Sequence, residues 1–206
     1  MLSKKKNLKK NTIRLLLPAL EASAPSRVVA VSSDAHAYSY SEGIRGAPDL
    51  ESINDMENTN TAFNYAQAKL ANILFAQELA RRLEAKSVGN VYVNAAHPGL
   101  VATRFAYNFL HNRGWSEESS QRAENVVEAV WIRLGLFFDT EGGSLTQLYL
   151  ATSPEVEAKG IRGKFYIPVA HEGVFDPHVA AHSANKTLAK ALWTLSDELT
   201  ERWARN

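Results

Sequence analysis

The pattern of hydrophobic and polar positions predicts two buried strands joined by a long helix. Arg27 to Ser33 (RVVAVSS) is a short β-branched run that ends in small polar residues, which is typical of a buried strand opening into a loop. From about Thr61 to Lys86, leucine and isoleucine recur at helical spacing among strong helix formers. Asn90 to Gly99 (NVYVNAAHPG) then predicts a second buried strand that ends at Pro98-Gly99. Together these segments form a βαβ unit.

The βαβ unit makes a specific prediction about where loops meet. The carboxyl ends of parallel strands lie at one edge of a sheet, so Ser33 and Pro98-Gly99 should be neighbours there. Asp34 to about Thr59 shows no sustained period and is punctuated by glycine, proline and asparagine, which predicts a long loop with about one helical turn. Loops of this length in compact domains are commonly functional.

The remaining chain predicts a further strand and three further helices. The helices are expected over Ala123–Leu136, Gly142–Thr152 and Ala184–Ala204, and the strand over Gly163–Pro168 (GKFYIP). No internal repeat or low-complexity linker divides the chain, so a single domain is expected.

Composition narrows the classes of function. The 206 residues include 23 Lys+Arg against 22 Asp+Glu, so no global charge supports a nucleic-acid or membrane-surface role. There is no cysteine, which excludes disulfides, thiol catalysis and cysteine-ligated metal, and suits a reducing compartment. Cytoplasmic localisation is the default expectation.

The amino terminus has the outline of a signal peptide. Five lysines are followed by an apolar run and by Ala22-Ser23-Ala24, which resembles a cleavage site. The run is shorter than a signal core, and Arg14 and Pro18 interrupt it, which argues against secretion. No stretch approaches the roughly 20 apolar residues that a transmembrane helix needs.

Tyr65 and Lys69 are a candidate catalytic pair. On a helix, positions i and i+4 face the same way. A phenol has an ordinary pKa near 10, and a fixed ammonium nearby favours the phenolate, so such a pair can supply a general acid/base at neutral pH. By itself the spacing favours the simpler interpretation, a solvent-facing pair on a helix, by about two to one.

The order of several motifs along the chain favours the catalytic interpretation of Tyr65 and Lys69. Ser32-Ser33 ends a strand, Tyr65 and Lys69 open the next helix, and HPGLVAT (His97 to Thr103) follows the next strand. In this order the chain resembles the short-chain dehydrogenase/reductase family. LLLPALEASAPSRVVAVSSDAH, KLANILFAQELARRL and NAAHPGLVATRF narrow the resemblance to the retinol-dehydrogenase-like branch. The similarity runs from roughly Thr12 to the carboxyl terminus.

The resemblance implies an α/β fold, a partial Rossmann-like doubly wound parallel sheet with three carboxyl-terminal strands and flanking helices. It assigns residues 11–206 to a truncated domain of this family and leaves 1–10 as an unmatched basic segment. The family's glycine-rich turn, T-G-x-x-x-G-x-G, does not occur in this sequence. Its catalytic asparagine has no match either, since Lys5 falls in register while Asn7 and Asn11 are displaced.

The same resemblance implies roles for individual residues. Ser33, Tyr65 and Lys69 would be catalytic, with Tyr65 the proton donor or acceptor, Lys69 its activator and Ser33 bound to the substrate oxygen. Tyr65, Lys69, Pro98, Gly99, Val101 and Thr103 would bind the cofactor, NADP or NAD with NADP preferred. The substrate would be a small apolar alcohol or carbonyl, and no metal is expected.

Several of these residues have simpler interpretations. Ser33 could only end a strand, with Ser32 as the alternative catalytic serine, and Thr103 could be an ordinary helix N-cap. His97 is expected to be a satisfied packing residue because no second histidine or carboxylate lies at ligand spacing. The aromatic residues of the variable segment would be core residues, or would line an apolar pocket; they are Phe105, Tyr107, Phe109 and Trp115.

Two hypotheses of function follow. The first is an NAD(P)-dependent oxidoreductase that interconverts an alcohol and a carbonyl, with tyrosine as general acid/base. The second is a catalytically silent truncated family member, or an interaction module, that lacks the dinucleotide-binding half. A sheet without its first strands would expose an apolar edge, which favours association into a homo-oligomer. A serine hydrolase is not supported, because no G-x-S-x-G elbow surrounds Ser33.

Overall fold

A computed structural model describes residues 12–13, 15–23, 25–47, 50–54, 60–101, 105–134, 137–173 and 182–204. Two short 3₁₀ turns, Asp34–Tyr38 and Glu51–Asn54, lie in the long loop. The strands and helices, in chain order, are β1 (Ser26–Val31), α1 (Thr61–Ala85), β2 (Val91–Ala96), α2 (Phe105–His111), α3 (Glu117–Arg133), α4 (Thr140–Thr152), α5 (Glu155–Ala158), β3 (Phe165–Ile167), β4 (His171–Glu172) and α6 (Lys186–Ala204).

The described strands form one sheet in the order β1-β2-β3-β4. β1 pairs with β2 in parallel from Ser26 opposite Val91 to Val31 opposite Ala96, which confirms the predicted βαβ unit. β3 extends the parallel sheet on the other side of β2. β4 is antiparallel to β3 and was not predicted, because a strand of two residues gives no alternation in the sequence.

Helices cover both faces of the sheet, as the predicted doubly wound α/β class requires. On one face Val93 of β2 packs in a core with Ile73 and Leu83 of α1. On the other face Ala96 packs with Leu150 of α4. Both faces are therefore buried, which explains why β2 is almost uniformly apolar.

The long helix α1 lies within a residue of its predicted bounds. Asn60 caps its first turn, since Asn60 Oδ1 accepts hydrogen bonds from the backbone N–H groups of Ala62 (2.8 Å) and Phe63 (3.4 Å). Leu70 and Leu74 lie on a second apolar side of the helix and pack against Leu188 of α6. This double burial fixes the rotation of α1 and with it the direction in which Tyr65 and Lys69 point.

The segment after β2 differs from the prediction. α3 begins at Glu117 rather than at Ala123, because Ser116 Oγ accepts the Ser119 N–H at 3.2 Å and acidic residues occupy the first turn. α2 was not predicted, since its aromatic-rich sequence has only moderate helix propensity.

The segment between β1 and α1 contributes to the core. Ile44 and Leu50 are fully buried beside Leu70 and Leu74, although no hydrophobic periodicity in the sequence predicted their burial.

Residues 15–22 are helical, and Leu17 packs against the core that contains Val28. Residues 1–10, including Lys5 and Asn7, lie outside the described residues, as does Asn11. Within the described ranges, no helix is both long enough and apolar enough to span a bilayer.

Candidate active site

The candidate site lies where β1 and β2 end and α1 begins. The Ser32 N–H donates to the Ala96 carbonyl at 2.7 Å, so the parallel ladder continues one residue beyond β1. The loops that carry Ser33 and Pro98-Gly99 therefore leave the sheet side by side, as the βαβ pattern predicts.

Tyr65 and Lys69 share one side of α1. Lys69 Nζ lies 5.4 Å from the centroid of the Tyr65 ring, close enough for a cation–π contact. The same ammonium donates to the Val31 carbonyl at 3.4 Å, and Asn72 Nδ2 donates to that carbonyl at 2.8 Å. Tyr65 is 45% exposed. Lys69 is thus held against the last residue of β1, with the phenol beside it accessible from solvent.

The two serines after β1 have different partners. Ser32 is buried, and its hydroxyl donates to the Lys69 backbone carbonyl at 2.8 Å. Ser33 is half-buried, and its Oγ accepts the Ala35 N–H at 3.2 Å. A hydroxyl that accepts one bond can still donate its proton. Among the described residues no hydrogen bond joins Ser33 to Tyr65. Ser32 fastens β1 to α1, while the Ser33 proton is available for another acceptor.

The turn after β2 depends on a glycine. Gly99 has a φ of +88°, and a Cβ built there would lie 2.6 Å from Cδ2 of Phe138. The Phe138 N–H donates to the Leu100 carbonyl at 2.7 Å, and Val101 forms a parallel bridge with Phe138. Gly99 and Val101 therefore belong to a well-braced turn directly after Pro98. Thr103 lies outside the described residues.

His97 is buried and fully partnered, as expected of a packing residue. It is 4% exposed, its Nε2 lies 3.0 Å from Asp34 Oδ2, and its Nδ1 accepts the Gly99 N–H at 3.3 Å. The carboxylate that contacts His97 comes from the loop after β1, where the spacing of residues around His97 in the sequence could not reveal it. The hydrogen bond from His97 lowers the pKa of Asp34, against the opposing effect of burial. No cluster of three metal-ligating side chains occurs in the described ranges.

His36 completes the polar cluster at this edge. Its Nδ1 donates to the Ser33 carbonyl at 2.6 Å, and its ring meets Phe165 edge-on at 5.2 Å. Burial lowers the pKa of His36 and outweighs the raising effects of the Ser33 carbonyl and Asp34. Sequence reasoning missed both Asp34 and His36, although their positions directly after Ser33 were an available signal.

Two aromatic residues of the variable segment, Tyr107 and Trp115, differ in burial. Tyr107 is buried and stacks on His111 with ring centroids 5.4 Å apart, whereas Trp115 is half-exposed. The side chains of Phe105 and Phe109 lie outside the described part of the chain.

The residues present fit the nicotinamide end of a dinucleotide. Lys69 supplies a cation with hydrogen-bond donors beside the accessible phenol of Tyr65, as ribose hydroxyls require. The turn at Gly99 presents backbone next to the same edge. The sequence contains no match to the glycine-rich turn with which the family binds the pyrophosphate.

Curated relatives with similar sequences are short-chain dehydrogenases. Retinol dehydrogenase 14 of Mus musculus is 36% identical over 185 residues, which are 89% of this chain and 47% of the relative. Retinol dehydrogenase 13 of Mus musculus is 32% identical over 90% of this chain and 48% of its own length. Short-chain dehydrogenase TIC 32 B, chloroplastic, of Brassica napus is 32% identical over 89% of this chain and 49% of its own length.

A solved structure supports the fold. An uncharacterised protein of Mycobacterium paratuberculosis superposes with a TM-score of 0.51 at 24% identity, over 86% of this chain and 51% of that one. No protein-family model matches the sequence.

The chain belongs to the short-chain dehydrogenase/reductase family, in its retinol-dehydrogenase-like branch. It spans about half the length of the curated relatives that it matches.

Proposed function

We propose that this chain forms the proton-transfer half of an NAD(P)-dependent oxidoreductase that interconverts an alcohol and a carbonyl. The observation that carries the proposal is the Tyr65–Lys69 pair, held at the carboxyl edge of the sheet by the contact of Lys69 Nζ with the Val31 carbonyl. The attachment of Lys69 to the last residue of β1 fixes the ammonium beside the Tyr65 ring, which the helical spacing of the two residues alone would not do.

Each residue has a role that its surroundings allow. In reduction, Tyr65 donates its phenolic proton to the carbonyl oxygen, and in oxidation it removes the alcohol proton. The positive charge of Lys69 stabilises the phenolate that remains. Ser33 keeps its proton and donates a hydrogen bond to the same substrate oxygen, while its Oγ accepts the Ala35 N–H. A bound nicotinamide supplies or accepts the hydride.

The cofactor would be held by the nicotinamide side of the site. Tyr65 and Lys69 are proposed to bind its ribose, and the backbone of Pro98, Gly99 and Val101 its carboxamide, with Thr103 further along. Because this sequence contains no glycine-rich pyrophosphate turn, binding by this chain alone should be weaker than by a complete family member. The cofactor would be NADP or NAD, with NADP slightly preferred, and residues 11–206 would act as one Rossmann-like unit on a small apolar substrate.

Turnover tests the proposal directly. The purified chain is mixed with NADPH or NADH and a panel of apolar aldehydes and ketones, and the loss of reduced nicotinamide is followed. Tyr65→Phe removes only the phenolic hydroxyl, so it should abolish turnover while leaving the fold intact. Turnover that survives in Tyr65→Phe would contradict the assigned role.

A second candidate function is an interaction module, and the position of β1 favours it. β1 lies at the edge of the sheet that the described residues form. In the parallel ladder Ser26 and Ser32 turn their N–H groups to β2, so Arg27 and Val29 turn theirs away from it. An edge of this kind can pair with another strand.

The edge can be blocked without disturbing the sheet. Val29→Pro removes an outward N–H and leaves the β1–β2 hydrogen bonds intact, while Val29→Ala matches the loss of side-chain packing. Sedimentation velocity over a range of concentrations should show self-association in the parent and in Val29→Ala, and a monomer in Val29→Pro. A parent that stays monomeric throughout would remove support for an edge-pairing module.

A further inference from the structure

Three residues link the loop after β1 to the turn after β2. Asp34 directly follows Ser33, and its Oδ2 contacts His97 Nε2 at 3.0 Å. His97 Nδ1 in turn accepts the Gly99 N–H at 3.3 Å. The link therefore runs from the loop that carries Ser33 to the turn that carries Pro98 and Gly99.

The two contacts fix the tautomer of His97. A carboxylate can only accept, so Nε2 must carry a proton. A backbone N–H can only donate, so Nδ1 must be unprotonated. In this arrangement Nε2 donates to Asp34, and Nδ1 accepts from Gly99. The opposite tautomer would direct one N–H against another at Gly99 and present a bare nitrogen to the Asp34 carboxylate.

The turn at Gly99 is held by hydrogen bonds on both sides. The Leu100 carbonyl accepts the Phe138 N–H, which braces the turn on its carboxyl side. The Gly99 N–H bond to His97 braces it on its amino side. Gly99 packs against Phe138 with no room for a side chain, since a Cβ built there would lie 2.6 Å from Phe138 Cδ2.

We propose that Asp34 is a positioning residue: it holds His97 in the Nε2–H tautomer, and His97 then fixes the Pro98–Gly99 turn relative to Ser33. The positioning of reacting groups in this way rests on the function proposed above, whereas the tautomer and the turn can be measured without it. Asp34 acts through its ability to accept a hydrogen bond, not through its charge. Its side chain is 60% exposed, so it can be replaced without opening the core.

Two neutral variants separate acceptance from charge. Asp34→Asn keeps an oxygen that can accept from Nε2–H, and Asp34→Ala keeps none. Long-range proton–nitrogen NMR spectra report the His97 tautomer, and amide hydrogen exchange reports the Gly99 N–H. Asp34→Ala should lose the single tautomer and exchange the Gly99 amide faster, and Asp34→Asn should keep both properties of the parent.

Titration with NADPH adds a functional measurement. Losing one hydrogen bond that braces the turn should weaken binding about tenfold in Asp34→Ala, with Asp34→Asn within about threefold of the parent. A parent tautomer and parent Gly99 exchange in Asp34→Ala would overturn the inference, as would equal loss in both variants, since that would point to charge. If the spectra behave as expected but the parent binds no nucleotide, the positioning link stands and the proposed oxidoreductase function fails.

Discussion

The hydroxyl of Ser32 donates a 2.8 Å hydrogen bond to the backbone carbonyl of Lys69. Lys69 makes a second contact with the same strand end, since its Nζ donates to the carbonyl of Val31, the residue before Ser32. Lys69 of α1 is thus joined to the end of β1 twice, once through its backbone carbonyl and once through its ammonium, and Asn72 Nδ2 adds a 2.8 Å bond to the same Val31 carbonyl. This double attachment places the ammonium of Lys69 independently of any bound molecule.

The two adjacent serines should respond differently to substitution. Ser32→Ala removes a buried hydrogen bond and should lower the free energy of unfolding by about 1 kcal/mol, measured by urea denaturation. Ser33→Ala loses only a 3.2 Å turn contact, so it should affect stability less and turnover more. A larger loss of turnover in folded Ser32→Ala than in Ser33→Ala would make Ser32 the catalytic serine.

The turn at Gly99 should tolerate no side chain. Gly114 provides a matched control, since its φ of +89° is within a degree of that of Gly99 and a Cβ added to it would meet no atom within 4 Å. Gly114→Ala should cost about 1 kcal/mol of backbone strain alone. Gly99→Ala adds the overlap with Phe138 and should cost about 3 kcal/mol in thermal or urea unfolding. Equal costs would show that Phe138 yields freely.

Acid should destabilise the fold through His36. Burial lowers its pKa in the folded state below the ordinary value of 6.5, so below that value the unfolded chain binds a proton that the folded chain does not. Stability should therefore fall as the pH drops from about 6.5 toward the lowered pKa, by at most about 1.4 kcal/mol per pH unit for this proton.

His36→Asn isolates that contribution. Its amide can donate to the Ser33 carbonyl as the imidazole does, but it does not titrate in this range. Urea denaturation of both proteins between pH 7 and pH 5 should show a shallower decline in the variant. Parallel curves would mean that His36 takes up its proton equally in the folded and unfolded states.

Much of the fold could be predicted because its signals are local. The helical spacing of Leu70, Ile73 and Leu74 set α1 within a residue, and two β-branched runs gave the parallel pair β1 and β2. α2 and β4 were missed because a short aromatic helix and a two-residue strand are too short to show a hydrophobic periodicity in the sequence.

The candidate site was predictable in part. The βαβ pattern alone placed Ser33 and Pro98-Gly99 at one edge, and the i, i+4 spacing paired Tyr65 with Lys69. The contacts of Asp34 with His97 and of Phe138 with Gly99 join residues far apart in sequence and depend on how the loops pack, which no local pattern encodes. The catalytic and cofactor-binding roles of these residues stay predictions.

Cofactor binding by the purified chain tests the central claim most directly. Titration with NADPH and with NADH, followed by nicotinamide fluorescence, should give saturable binding that weakens about tenfold or more in Lys69→Ala, because the ammonium contacts the cofactor in the proposed site. Tyr65→Phe should bind nearly as the parent does, since it loses one hydroxyl. If a demonstrably folded parent binds neither nucleotide, or if Lys69→Ala binds as tightly as the parent, the Tyr65–Lys69 pair does not form a nicotinamide site.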